Sequence, residues 1–117
     1  MSSLMDDILN LSKAIYKVLD DRKAQDLVVL SVKGISPISD YFIICTGTST
    51  THMNALADHV RKELSTIGVQ LRHKEGKETG GWLLMDYKDV IVHIFSRDMR
   101  DYYGLERIWS DATLINF

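Results

Sequence analysis

One hundred and seventeen residues are enough for one compact domain and too few for two separate cores, which excludes a multidomain enzyme. With 45% hydrophobic and 26% charged residues a core can form, and disordered, fibrous and membrane-embedded classes are disfavoured. Fourteen Lys and Arg against 16 Asp and Glu leave a formal charge of −2, without the basic excess by which nucleic-acid binders displace counterions from phosphates.

Leu4, Ile8, Leu11, Ile15 and Val18 lie on one stripe of an amphipathic helix, with Ser2 or Ser3 placed to cap it and Asp6 and Asp7 favourable at its positive end. The β-branched run Asp26 to Lys33 predicts a strand, closed by the loop that Gly34 and Pro37 mark. Tyr41 to Thr46 is apolar on both faces, as a central strand must be, and Gly47-Thr48-Ser49-Thr50-Thr51 is a strand-to-helix turn. The spacing of Met53, Leu56, Ala57, Val60, Leu64 and Ile67 predicts a second helix, stopped at Gly68. A short strand follows at Val69 to Lys74, then a polar, Gly-rich connection from Glu75 to Gly81. Residues 82–87 and 90–95 flank a tight Lys88-Asp89 turn and should pair antiparallel, and a final helix is expected over Asp101 to Asp111. The whole is a single α/β (α+β) domain over residues 1–117, a mixed five-stranded sheet with helices packed on it.

The lone Cys45 sits in the apolar run Tyr41-Phe42-Ile43-Ile44-Cys45, where a free cysteine serves as a small hydrophobe, and a reducing compartment fits it. No signal or transit peptide pattern opens the chain and no apolar stretch is long enough to span a membrane, so a cytoplasmic location is expected.

Several segments, in order, resemble the Iojap family, also called ribosomal silencing factors. They are Ser39-Asp40-Tyr41-Phe42-Ile43-Ile44-Cys45-Thr46-Gly47-Thr48-Ser49, then His52 with Ala57-Asp58-His59-Val60, then Glu75-Gly76 and Gly81-Trp82-Leu83-Leu84-Met85-Asp86-Tyr87. Asp89 to Phe95 and Arg100-Asp101-Tyr102-Tyr103-Gly104-Leu105-Glu106-Arg107-Ile108-Trp109 complete the match, which spans residues 24–111. The resemblance implies a nucleotidyltransferase-like topology in a cytoplasmic protein that forms homodimers when free. It implies binding to the large ribosomal subunit through ribosomal protein L-fourteen, and a steric block to small-subunit joining that lowers translation when nutrients are scarce.

An enzyme of that topology would hold divalent metal on two clustered carboxylates. Asp86 and Asp89 are three apart across a turn, Asp58 is on a helix and Asp40 precedes a strand, so the pair is missing, and Gly47 to Thr51 is better read as a helix cap than as a phosphate cradle. His52 and His59 would stand about 10.5 Å apart along one helix, too far to share an ion. His93 alternates with Ile91 and Phe95 and is expected to be a core or interface histidine with satisfied nitrogens. No catalytic residue, metal or cofactor is expected, nor direct contact with nucleic acid.

Seven of the ten aromatic residues lie after position 80. Large aromatics either fill a core or cover a partner. Trp82, Leu84 and Asp86 share one strand face while Leu83, Met85 and Tyr87 point the other way, and Tyr102, Leu105, Ile108 and Trp109 form a stripe with Tyr103 to its side. Trp82, Leu84, Asp86, Tyr102, Tyr103 and Trp109 are the expected partner-binding residues. Asp86, Asp89 and Glu106 could register a basic ribosomal protein, whereas Arg72-His73-Lys74 reads as a solvated strand edge.

Overall fold

The computed structural model describes residues 4–108 and 110–117. The expected Ser2 or Ser3 cap and Trp109 lie outside the described residues. In chain order the elements are α1 (Leu4–Asp21), β1 (Gln25–Ser31), β2 (Tyr41–Thr46), α2 (Thr50–Thr66), β3 (His73–Lys77) and a 3-10 turn (Glu78–Gly80). Then follow β4 (Trp82–Asp86), β5 (Val90–Phe95), α3 (Arg97–Tyr103), α4 (Leu105–Ile108) and β6 (Thr113–Ile115). The strands form one mixed sheet in the order β3-β4-β5-β2-β1-β6, with β2 and β5 parallel and every other pair antiparallel.

The two parallel strands at the centre are buried at every position, which explains why their sequences carry no polar alternation. On one face of the sheet α1 and α2 bring Ile15, Leu19, Met53, Leu56, Val60 and Leu64 against Val29, Ile43, Cys45, Leu83, Met85, Val92 and Ile94. Each such aliphatic side chain stabilises the fold by about 1.5–3 kcal/mol through burial. The buried line of α1 runs through Ile8, Ser12, Ile15 and Leu19, slightly rotated from the expected stripe, and Ser12 is accommodated by donating its hydroxyl to the Ile8 carbonyl at 3.1 Å. On the other face Leu30, Phe42, Ile44, Ile91 and Phe95 are covered by Met99, Leu105 and Ala112, whereas Trp82 and Leu84 at the β4 side are only half covered.

Three expectations about elements need correction. The sheet has six strands rather than five, because Thr113–Ile115 adds an edge strand against β1. Three residues are too short a run for an alternation to register. The strand expected at Val69 to Lys74 lies instead at His73–Lys77. Val69 and Leu71 pack against the helix-side core, and the residues that pair with β4 are all exposed and contain no hydrophobic one, so periodicity pointed to the wrong segment. The single final helix over Asp101 to Asp111 is two short ones. Ser96 caps the first by accepting from the Met99 N–H at 3.3 Å, and Gly104, at φ 54°, ends it in the left-handed region.

Candidate functional site

Registers across the sheet place the side chains of the half-covered face in rows. Lys77, Trp82, Phe95 and Thr46 form one row, Glu75, Leu84, His93 and Ile44 the next, and His73, Asp86, Ile91 and Phe42 the third. The expected alternation on β4 is borne out: Leu83 and Met85 are buried toward the helices, while Trp82, Leu84 and Asp86 share the opposite face and remain half exposed. A groove of about 150 Å³ lies there, lined by Glu75, Gly76, Trp82 and Leu84.

Trp82 is held from three sides. Its indole stacks on Phe95 at 5.5 Å between ring centres, meets Tyr103 at 4.7 Å, and lies 5.9 Å from the His93 ring. Its Nε1–H donates to His93 Nδ1 at 3.1 Å, which gives the indole's polar edge a partner below the surface. Tyr102 stands edge-on to Tyr103 at 5.2 Å and is 78% exposed. The structure therefore brings together Trp82, Leu84, Asp86, Tyr102 and Tyr103, five of the six residues expected at an interface. Arg100, missed in the sequence, anchors the helix carrying both tyrosines: its guanidinium is buried and donates to Thr46 Oγ1 at 3.1 Å. Asp86 has a second task, since its Oδ1 accepts from the Lys88 N–H at 2.6 Å and shapes the β4–β5 turn.

Two glycines make the Trp82 corner possible. Gly76 lies at φ +86°, and a Cβ there would fall 2.1 Å from the Trp82 carbonyl oxygen; Gly81, at φ +78°, leaves no room for one against Ser96 and Met99. Neither reason is visible without the register.

His93 is 5% exposed, and burial pushes its imidazole down to about 4 from the ordinary 6.5. The neutral ring accepts at Nδ1, so its proton sits on Nε2, and Nε2 has no hydrogen-bond partner among the described residues. The expectation that both nitrogens are satisfied is therefore corrected. An unpaired buried polar atom costs about 1–3 kcal/mol.

The remaining sequence candidates resolve into structural parts. Ser49 caps α2 by accepting from the His52 N–H at 3.0 Å, as the helix-cap reading of Gly47 to Thr51 expects. His52 itself is a tie: Nδ1 accepts from the Thr48 N–H and Nε2 donates to the Arg22 carbonyl, both at 2.9 Å, joining this turn to the end of α1. The turn lines a cleft of about 450 Å³ with Gln25, Ser96 and Arg97, whose guanidinium is bridged to Asp26. Among the described residues no three His, Cys, Asp or Glu side chains converge as metal ligands would. Cys45 is fully buried and its thiol is pushed up to about 12 by desolvation, which matches the apolar role expected for it. No helix among the described residues is long and apolar enough to cross a membrane.

A family model described as "Ribosomal silencing factor during starvation" matches residues 5–117. The chain is 42% identical over 97 residues to the Ribosomal silencing factor RsfS of Halalkalibacterium halodurans, covering 83% of each protein. A crystal structure of a protein from Chromobacterium violaceum superimposes with a TM-score of 0.84 at 35% identity, covering 88% of this chain and 86% of that one. At 29% identity over 99 residues, 82% of this chain and 43% of the mouse protein, it also matches "Mitochondrial assembly of ribosomal large subunit protein 1" of Mus musculus. With the model reaching from the first helix to the last strand and the same fold in a relative of known structure, this chain belongs to the ribosomal silencing factor family.

Proposed function

We propose that this protein binds the large ribosomal subunit through ribosomal protein L-fourteen and occupies space that the small subunit needs, repressing translation under nutrient limitation in the cytoplasm. No bond is made or broken in this mechanism. The observation that carries the reading is a groove lined by Trp82 and Leu84 on a sheet face left half bare by the helices, with Asp86 on the same strand face and a chain of ring contacts running from Trp82 to Tyr103 and on to Tyr102. Aromatic anchors beside a pocket, with charge at the rim, are what a protein-docking surface requires. Glu75 in the groove and Asp86 beside it put two carboxylates on a rim that also carries Lys77 and His73, a mixed edge without a basic excess, which suits a protein partner better than bare RNA and is in keeping with a net charge of −2. Trp109 is included in the proposed surface on the family motif and the aromatic pattern of the sequence. A homodimer in the free state follows the same logic, since the apolar patch gains from cover whenever the ribosome is absent.

The test is co-sedimentation of Leu84→Arg with separated subunits, followed by a pull-down on purified L-fourteen. Leu84 is half exposed, so the folded state should survive while binding to large subunits falls by two orders of magnitude or more, the scale of about 3 kcal/mol for a central anchor. Unchanged co-sedimentation of the folded variant would remove this face from the interface. A second reading, assembly of the large subunit, draws on the name of the mouse relative. Precursor particles in a deletion strain would favour assembly; excess joined ribosomes during starvation would favour silencing.

A further inference from the structure

Resting on the reading of this face as the docking surface, we propose that His93 is a positioning residue that acts through Trp82, holding the indole in the one orientation that completes the groove. His93 is almost wholly buried. It lies in register between Leu84 on β4 and Ile44 on β2, beside one residue of the proposed patch and with its ring against another, Trp82. Its ring is parallel to Phe95 within 7° and edge-on to Phe42 at 5.0 Å, so the imidazole cannot swing without displacing both. From that fixed frame Nδ1 receives the Trp82 indole N–H at 3.1 Å.

Packing alone does not account for a histidine at this place. The surroundings are apolar, Nε2 is buried with no partner among the described residues, and a leucine would fill the site without an orphaned nitrogen. What histidine supplies and leucine cannot is an acceptor pointing at the indole. Phe95 stacks on the Trp82 ring and Tyr103 meets it at a tilt, which constrains the plane of the indole but not which edge it turns to the sheet, whereas a hydrogen bond to Nε1 selects that edge. Freezing the anchor before contact spares the complex the entropy of ordering it, so the gain is in affinity rather than in a new contact.

The experiment compares His93→Leu, which keeps bulk and loses the acceptor, with His93→Asn, whose amide oxygen takes the place of Nδ1. The indole N–H resonance of Trp82, assigned by its loss in Trp82→Phe, reports the hydrogen bond, and co-sedimentation with purified large subunits reports docking. In His93→Leu the indole proton is expected to exchange faster and subunit affinity to drop about tenfold. In His93→Asn both should return to within about threefold of the parent, the residual reflecting the shorter side chain. In a Trp82→Phe background, which lacks the donor, exchanging His93 for either residue should cost no further affinity. Equal losses in the leucine and asparagine variants, or a further loss in the Trp82→Phe background, would assign His93 to packing and overturn the proposal. Should His93→Leu fail to fold, His93→Asn and Trp82→Phe carry the test: the asparagine variant, which keeps the acceptor, should bind more tightly than Trp82→Phe, which loses the donor, and the reverse order would overturn the proposal. If Trp82→Ala binds subunits as the parent does, the docking reading itself falls; if Trp82→Ala fails to bind and His93→Leu binds normally, only the positioning role falls.

Discussion

Acidification should destabilise this protein through His93 in a pH range where the carboxylates contribute little. The unfolded imidazole takes up a proton near 6.5, whereas the folded one, desolvated between β4 and β2, resists until about 4. Between those values the unfolded state binds more protons, so stability is complete above 6.5, falls as pH decreases, and levels off once both states are protonated below about 4. At 1.36 kcal/mol for each tenfold difference in proton affinity, the loss amounts to about 2 kcal/mol at pH 5 and about 3 kcal/mol at pH 4. For a domain whose total stability is about 5–15 kcal/mol, this is a visible fraction. Asp26 acts in the same direction, its carboxyl held below 3.8 by the hydrogen bond and charge of Arg97, but its effect falls below the His93 range. The assay is urea unfolding of the parent and of His93→Asn, followed by far-ultraviolet circular dichroism at pH 7, 5 and 4. The parent should lose about 2 kcal/mol more than the variant between pH 7 and 5. Parallel pH curves for the two proteins would refute the argument, because they would mean that the buried imidazole already carries its proton or is solvated.

Three further outcomes follow from the backbone and from Cys45. Gly76→Ala forces a side chain into the left-handed region and against the Trp82 carbonyl, and should cost about 3 kcal/mol or more in urea unfolding, with parent-like stability counting against the β3–β4 register. Lys88 holds φ 79° in the β4–β5 turn, so Lys88→Gly should leave stability unchanged or raise it by up to about 1 kcal/mol in thermal melts; a clear loss would show that the lysine side chain supports the turn. Cys45 should resist alkylation at pH 8 in the native protein and react at once in urea, and rapid labelling of the folded state would contradict its burial and raised thiol.

The half-covered face was legible in the sequence wherever a period of two was enough. Trp82, Leu84 and Asp86 fall on one side of β4 because successive residues of any strand must, and the strand was evident from its hydrophobic content. The partners of that face were not legible, and the reason is the same in each case: they depend on register or on local backbone breaks. His93 was visible as one of three alternating residues, but its position beside Leu84 and against the Trp82 ring exists only once β4 and β5 are paired. Glu75 and Gly76 line the groove from a strand with no hydrophobic residue, which gives no periodic signal. Tyr103 reaches Trp82 because α3 begins at the Ser96 cap and stops at Gly104; an uninterrupted helix from Asp101 would have carried the two tyrosines on a different axis.

The way the helices are shared between the two faces lets a small domain expose an aromatic patch without collapsing onto it. α1 and α2 cover one face of the sheet and a second cluster closes most of the other, so the core forms without cover over the β3–β4 side. On the second face α3 and α4 are short, and Arg100 pins α3 to Thr46 at the carboxyl end of β2, away from β3. The helices therefore cover β1, β2 and β5 and stop at Trp82, leaving β3 and β4 as a shelf. Covering that shelf would add apolar burial at about 25 cal/mol per Å². That the chain ends the helix there, with a glycine in the left-handed region, leaves burial unused on the face where a partner can supply it.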